Sequence, residues 1–334
     1  MSVYSMHIDS LIAEYLLCCQ TEGKSVRTVD WYRQKLLYFA QFLKSRGIAG
    51  ELDGISAREI RLFIHHLQNE VKSGANNPYR PVQDRPLSPQ TVAGYVRTLR
   101  AFFSWTVREM ILDESPMRQV RTPQVPRRDM PFFTDEEVAR LLTAIQSPTP
   151  VGQRNYAIVV LLLDTGMRVS ELVNMTESGL HLDQGYLTVV GKGDKQRAIP
   201  LGRNSRKVLL RYLRRYRPEP SRPHCERVFL TRSGTPMRAD YLYKVISDAC
   251  RKVGIKGKRL GPHTCRHTFA RSFLLNGGDL LTLQRILGHT SLEVVKLYVN
   301  LRTEDLLAQQ WKYSPMDLLK TKHATALVST SAES

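Results

Sequence analysis

The sequence lacks the features that mark membrane, secreted and disulfide-stapled proteins. Its longest apolar run, residues 157–163, is too short to cross a bilayer, and its first residues lack the basic-then-apolar pattern of a secretory signal. Its five cysteines are odd in number and form no Cys-x-x-Cys pair, which argues against a disulfide framework and a cysteine zinc site. We therefore expect a folded cytoplasmic protein with reduced thiols.

Acidic side chains are scarce relative to basic ones. The 334 residues include 49 Lys and Arg but only 31 Asp and Glu, a formal charge of +18. Residues 1–115 hold 14 basic and 12 acidic side chains, whereas residues 116–334 hold 35 and 19. Such an excess predicts a nucleic acid partner with the strongest field in the second part of the chain. A basic surface retained for solubility is the alternative interpretation.

Residues 1–115 are typical of a small four-helix domain. Four segments have amphipathic spacing or helix-capping signals: 7–20, 29–43, 56–71 and 88–110. The third begins with Ser56-x-x-Glu59, a capping box in which each side chain satisfies a free backbone N–H. Between the last two helices, residues 73–87 are rich in Gly, Asn, Pro and Arg, and we predict an exposed loop that orders on DNA.

Residues 116–131 separate this domain from a second one. They contain four prolines and four arginines, and because proline interrupts helices we predict an extended basic linker. The second domain, 132–313, is predicted to be helical apart from an antiparallel hairpin over 186–201 with a glycine-rich tip. Residues 314–334 are expected to be a flexible tail. The fold class is therefore mainly α with a small antiparallel sheet.

Five short motifs in the second domain contain the candidate catalytic residues. In chain order they are Thr-Gly-Met-Arg168-Val-Ser-Glu171-Leu, Gly-Lys192-Gly, Pro-His263-Thr-Cys-Arg266-His267-Thr-Phe, Leu-Gly-His289-Thr-Ser, and Tyr298 nine residues later. Each motif alone is a weak signal, but their order and spacing together are specific. Over nearly its whole length, the chain resembles the tyrosine recombinase, or phage integrase, family.

The resemblance implies a fold and an activity. It implies a SAM-like core-binding domain followed by a catalytic domain, joined as a clamp around duplex DNA. It also implies site-specific cleavage and rejoining of DNA through a 3′-phosphotyrosyl intermediate and a Holliday junction, with no cofactor, ATP or metal. The expected assembly is a homo-tetramer on two specific sites in double-stranded DNA, associated with the nucleoid and with no membrane contact.

Two arginines and one tyrosine are the residues that act on the phosphate in this hypothesis. The planar guanidinium forks of Arg168 and Arg266 match phosphate geometry and remain charged at any working pH. A phenol forms a covalent ester that stores the energy of the cleaved bond for religation. By resemblance Tyr298 is this nucleophile, and only its spacing from His289 distinguishes it from Tyr313.

Proton transfer is assigned by the same resemblance. A phenol with a pKa of about 10 needs a base, and this role falls to His263, alone or shared with His289. The leaving 5′ oxygen needs a proton, which Lys192 supplies from the hairpin. Lys195 lies in the same hairpin, and the Gly-Lys-Gly pattern favours Lys192 as the acid.

Other interpretations of the same residues are more ordinary. Arg168 could be a surface arginine paired with Glu171 one turn away, and in the full set Glu171 is expected to orient Arg168. His263 and His267 are four apart, as in some metal sites, but no acidic residue lies between them and no third ligand is near in sequence, so no metal site is expected.

Further basic residues are candidates for DNA contact: Lys195, Arg197, Arg97, Arg100, Arg127 and Arg128. Two other functions remain open at this point. One is relaxation of DNA by a type IB topoisomerase-like enzyme, and the other is DNA binding by an inactive protein of the same fold.

Overall fold

A computed structural model describes residues 7–48, 50–74, 82–126, 130–191, 196–257 and 260–288, together with residues 307, 310 and 314. The chain divides into two compact units, Met1–Arg128 and Asp129–Ser334. None of the described helices combines the length and the hydropathy needed to cross a membrane.

The first unit contains the four predicted helices. Their bounds are Ile8–Thr21 (α1), Val26–Ser45 (α2), Ala57–Asn69 (α3) and Pro89–Arg108 (α4), with a short 3-10 turn at Leu52–Gly54. The capping box predicted for α3 is confirmed, since the Ser56 N–H donates to Glu59 at 2.9 Å and the Ser56 hydroxyl accepts from the N–H of Arg58. Aromatic rings including Phe39, Phe63 and Phe103 fill the core between the helices.

Part of the predicted loop over residues 73–87 is instead a two-stranded antiparallel ribbon. Lys72–Ser73 (β1) pairs with Gln83–Pro86 (β2), and an ion pair of 2.7 Å joins Lys72 to Asp84. The sequence prediction missed these strands because Gln-Asp-Arg-Pro is fully exposed and has no apolar alternation. Residues 75–81 lie outside the described residues.

The start of the predicted linker is also not extended. Residues 116–119 form turns, and Met117 and Val120 are buried in the first core with 2% and 4% of their surface exposed. Arg100 donates to the carbonyl of Val120 at 2.9 Å and to Thr122 at 3.0 Å, and Arg61 donates to the carbonyl of Gln119. Two apolar side chains and two arginine donors therefore hold this segment on the first unit.

The second unit is mainly helical. Its described helices are Asp135–Ile145 (α5), Pro150–Thr165 (α6), Val169–Asn174 (α7), Arg203–Arg215 (α8), Ala239–Lys252 (α9), Pro262–Leu275 (α10) and Leu280–Leu287 (α11), with a 3-10 turn at Glu177–Gly179. Helix α6 carries the apolar run of the sequence, is largely buried and packs against α5, α8 and α10.

The predicted hairpin is confirmed and belongs to a three-stranded antiparallel sheet. The strands are Leu180–His181 (β3), Tyr186–Val190 (β4) and Gln196–Pro200 (β5), in the order β3-β4-β5. Leu187 pairs with Ile199 and both are fully buried, because alternate residues of β4 and β5 face the core.

Gly166 ends α6 in the left-handed region of backbone space, with φ of +60°. A Cβ atom at this position would overlap the ring of Phe269 and approach Leu287 to 2.8 Å. Glycine therefore permits both the turn and the close packing of α10 and α11. This turn places Arg168 at the start of α7.

Candidate functional site

Arg168 and Arg266 come together at the carboxyl-terminal end of α11. Arg266, on α10, is 4% exposed and donates to the carbonyls of Gly166 at 2.6 Å and Leu287 at 2.8 Å. Arg168, the N-cap residue of α7, donates to the carbonyl of Gly288 at 3.3 Å. The turn after α6, the start of α7 and two later helices thus bring two guanidinium groups to adjacent backbone carbonyls.

Glu171 is a buried carboxylate beside Arg168. It accepts the backbone N–H of Arg168 at 2.7 Å and the Arg168 Nη1 at 2.8 Å, and its side chain is 2% exposed. Burial opposes its ionisation, but hydrogen bonds from Arg197 and from Arg168 outweigh that effect and lower the pKa of Glu171. The carboxylate is therefore charged and holds both the backbone and the side chain of Arg168.

Arg197, one of the predicted DNA-contacting residues, lies in β5. Its side chain is 14% exposed, and its Nη1 and Nη2 donate to the two oxygens of Glu171 at 2.7 and 2.8 Å. Its Nε donates to the carbonyl of Ile286 at 2.9 Å. Every nitrogen of the guanidinium group thus donates to an acceptor within the protein.

His263 and His267 lie one turn apart on α10. Partial burial, followed by the charges of Arg266 and Arg168, lowers the pKa of His263. Burial, with His263 and Arg266 nearby, lowers the pKa of His267 to about 4. Both rings are therefore neutral at pH 7. Within the described part of the chain, no three His, Cys, Asp or Glu side chains converge as metal ligands would.

Several residues named in the sequence analysis lie outside the described residues. They are Lys192, Lys195, His289, Tyr298, Tyr313, Arg127 and Arg128. The described chain approaches two of these regions closely, since β4 ends at Val190, β5 begins at Gln196, and Gly288 directly precedes His289.

In the first unit, the two predicted DNA-contacting arginines differ in their surroundings. Both are exposed on α4, but Arg100 is hydrogen-bonded to Val120 and Thr122, as described above.

Next to Arg97 is a basic and aromatic patch that the sequence analysis missed. The Lys35 ammonium lies 4.9 Å from the ring centre of Trp31 and 4.0 Å from that of Tyr95. Burial, with a smaller effect from Arg97, lowers the pKa of Lys35 to about 8. The spacing of Trp31 and Lys35 by four residues on one helix was the available signal, but the contribution of Tyr95 from α4 depends on tertiary packing.

Comparison with known proteins gives matches along most of the chain. Residues 131–305 match the Phage integrase family, and residues 11–113 match the Phage integrase, N-terminal SAM-like domain. The tyrosine recombinase XerD of Listeria innocua is 32% identical over 308 residues, which is 90% of this chain and 98% of that protein. The tyrosine recombinase XerC of Bacillus pumilus is 30% identical over 309 residues, which is 91% of this chain and 95% of that protein.

Among solved structures, the chain is similar in fold to the XerH site-specific recombinase bound to palindromic difH substrate in a post-cleavage complex. The TM-score is 0.66 at 21% sequence identity, covering 90% of this chain and 83% of that one.

Proposed function

Since this chain belongs to the phage integrase family and is a tyrosine recombinase, an enzyme that cleaves and rejoins DNA at specific sites, we propose that Tyr298 is its nucleophile. In this proposal five basic residues surround the attacked phosphate: Arg168, Lys192, His263, Arg266 and His289. The observation that carries it is the convergence of the Arg168 and Arg266 guanidinium groups beside Gly288, the residue that precedes His289.

The two arginines stabilise the phosphate during attack. Attack increases the negative charge on the non-bridging oxygens, and guanidinium groups fixed by backbone carbonyls and by Glu171 offer charged donors without reorganising. A single preorganised donor contributes on the order of 10²–10³-fold in enzymes with oxyanion holes. Arg168 and Arg266 would thus supply charge stabilisation of the kind that bound metal ions supply in other phosphoryl-transfer enzymes.

The proton transfers use groups with suitable charge states. His263 is neutral at pH 7 because its pKa is lowered, so it can accept the phenolic proton of Tyr298. The Tyr298 oxygen bonds to phosphorus, the bond from phosphorus to the 5′ oxygen breaks, and Lys192 protonates that oxygen. The resulting 3′-phosphotyrosyl ester retains the energy of the cleaved bond, so attack by another 5′ hydroxyl rejoins DNA without ATP.

Recombination by this chemistry requires several protomers. Two duplexes exchange four strands, and each cleavage in the proposal uses one Tyr298. A palindromic substrate such as the difH site of the similar XerH complex presents the same half-site twice and suits a pair of protomers. We therefore infer a homo-tetramer on two DNA sites, with strands exchanged in pairs through a Holliday junction.

Covalent trapping tests the nucleophile. The target sequence is first obtained by sequencing DNA fragments that remain attached to the denatured protein. A duplex of that sequence, nicked so that a short strand is lost after cleavage, then accumulates the adduct. We expect Tyr298→Phe to bind this duplex normally and form no adduct, and Tyr313→Phe to form it as the unchanged protein does. An adduct with Tyr298→Phe would overturn the assignment.

The same substrate tests the other features. Adduct formation in excess EDTA is expected to equal that in its absence, and a loss would contradict the metal-free mechanism. A plasmid with two target sites should give recombinant products, whereas relaxation of a plasmid without a site would instead favour a topoisomerase-like activity.

A further inference from the structure

Three consecutive carbonyls at the end of α11 each accept a hydrogen bond from a different arginine. Arg197 Nε donates to Ile286 at 2.9 Å, Arg266 Nη2 to Leu287 at 2.8 Å, and Arg168 Nη2 to Gly288 at 3.3 Å. The three arginines come from β5, α10 and the start of α7. Because a helix ends in unpaired carbonyls with partial negative charge, cations are favourable there.

Glu171 links two of these arginines. Its Oε1 accepts from Arg168 Nη1 and Arg197 Nη1, and its Oε2 accepts from the Arg168 backbone N–H and from Arg197 Nη2. One negative charge is thus shared between two positive ones. Without Arg197, the full carboxylate would face Arg168 and reduce the positive potential that Arg168 presents to a phosphate.

The same contacts fix Arg197 itself. Its guanidinium plane is set by two hydrogen bonds to Glu171 and one to Ile286, and Gly288 packs against it so closely that a Cβ there would lie 3.0 Å from Arg197 Cδ, Cζ and Nε. The side chain therefore has one defined geometry, between the carboxylate that orients Arg168 and the turn that leads to His289.

We propose that Arg197 is a positioning residue for strand cleavage, acting through Glu171 on Arg168 and through Ile286 on the chain segment that enters His289. The inference rests on the function proposed above, in which Arg168 and His289 act at the phosphate. It replaces the direct DNA contact that the sequence suggested for Arg197. Bidentate ion pairs of this buried kind impose geometry that a lysine does not reproduce.

Arg197→Met tests the role by separating DNA binding from cleavage. The variant keeps an unbranched side chain and removes every donor. At saturating DNA we expect single-turnover cleavage to fall by about 10²-fold, the loss that a displacement of about 1 Å in an active site produces. The dissociation constant and its dependence on salt should remain those of the unchanged protein.

A direct phosphate contact would give the opposite pattern. Loss of one phosphate contact weakens binding and reduces the slope of log K against log salt by about 0.9. Such a reduced slope, or a cleavage rate equal to that of the unchanged protein, would overturn the proposal. Arg206→Met is the matched control, since Arg206 is also paired with one carboxylate, Asp183 at 3.7 Å, but lies on α8. Its cleavage rate should not change.

Arg197→Lys tests the same role if Arg197→Met does not fold. Lysine restores the charge but cannot make the same three hydrogen bonds, so we expect a cleavage rate between those of the unchanged protein and Arg197→Met, with a normal salt slope. A lysine variant with full cleavage activity would show that only the charge matters and would overturn the positioning role.

A double variant tests whether Arg197 acts through Glu171. If it does, Arg197→Met combined with Glu171→Gln should cleave within about threefold of the slower single variant, because both changes break one unit. Multiplied losses would show that Arg197 acts independently of Glu171. Tyr298→Phe is assayed in parallel, so that an error in the proposed nucleophile is recognised separately from an error in the role of Arg197.

Discussion

Replacing Gly288 with alanine perturbs the end of α11 without changing any charge. Gly288 has φ of +64°, and the left-handed conformation costs a residue with a Cβ roughly 1–2 kcal/mol. The new Cβ would also lie 3.0 Å from three atoms of Arg197, so the guanidinium group must shift by a few tenths of an ångström. Weakening its hydrogen bonds to Glu171 and Ile286 destabilises the fold by about a further 1.5–3 kcal/mol, the contribution of a hydrogen bond to a charged group.

Gly254→Ala provides a matched control for backbone strain. Gly254 has φ of +70° after α9, and a Cβ there would meet nothing within 4 Å. We therefore expect a loss in the free energy of unfolding of about 1–2 kcal/mol for Gly254→Ala and about 2.5–5 kcal/mol for Gly288→Ala. Urea titration of the two variants at one pH measures the difference.

Cleavage is the second measurement on this pair. Gly288→Ala should cleave the nicked substrate at least tenfold more slowly at saturating DNA, because a small displacement of Arg197 reaches Arg168 through Glu171. Gly254→Ala should cleave normally. Equal stability and equal cleavage in the two variants would refute the reasoning that the turn at Gly288 is coupled to the arginine cluster.

Three further predictions concern ionisation and helix capping. Cleavage should be constant near pH 7 and fall only below pH 6.5 as His263 becomes protonated, because its pKa is lowered; a single-turnover profile from pH 5 to 8 tests this. The pKa of His267 is about 4 when folded and about 6.5 when unfolded, so stability should fall by about 2–3 kcal/mol as the pH falls from 6.5 to 4. His267→Gln should remove that part of the pH dependence in urea titrations; an unchanged slope would contradict it. Ser56→Ala should cost about 1 kcal/mol by removing the capping box of α3, and a change below 0.3 kcal/mol in a urea midpoint analysis would contradict that estimate.

Local signals in the sequence were sufficient for most of the helices. The capping box at Ser56 acts over three residues and forms as predicted. The β4–β5 hairpin was also predictable, since its apolar residues alternate on either side of a glycine-rich tip. In each case the residues that determine the structure are close together in the chain.

The features that were missed depend on distant partners. The ribbon at β1 and β2 has no apolar pattern, and the turn at residues 116–119 is held by Arg100 and Arg61 from preceding helices. Arg197 is the clearest case, because its partners Glu171 and Ile286 are 26 and 89 residues away. From the sequence alone, an arginine in a basic motif is interpreted as a DNA contact. Its acceptors within the protein become evident only in the folded chain.

The three arginines at the end of α11 also affect how much order the enzyme must create when it meets DNA. A free arginine side chain holds about 2 kcal/mol of rotamer entropy. In Arg168, Arg197 and Arg266 much of that freedom is already lost on folding, because backbone carbonyls accept from each of them. The rotamer entropy of these side chains is therefore lost when the second unit folds, which lowers its stability. Little further entropy is lost when they bind a phosphate.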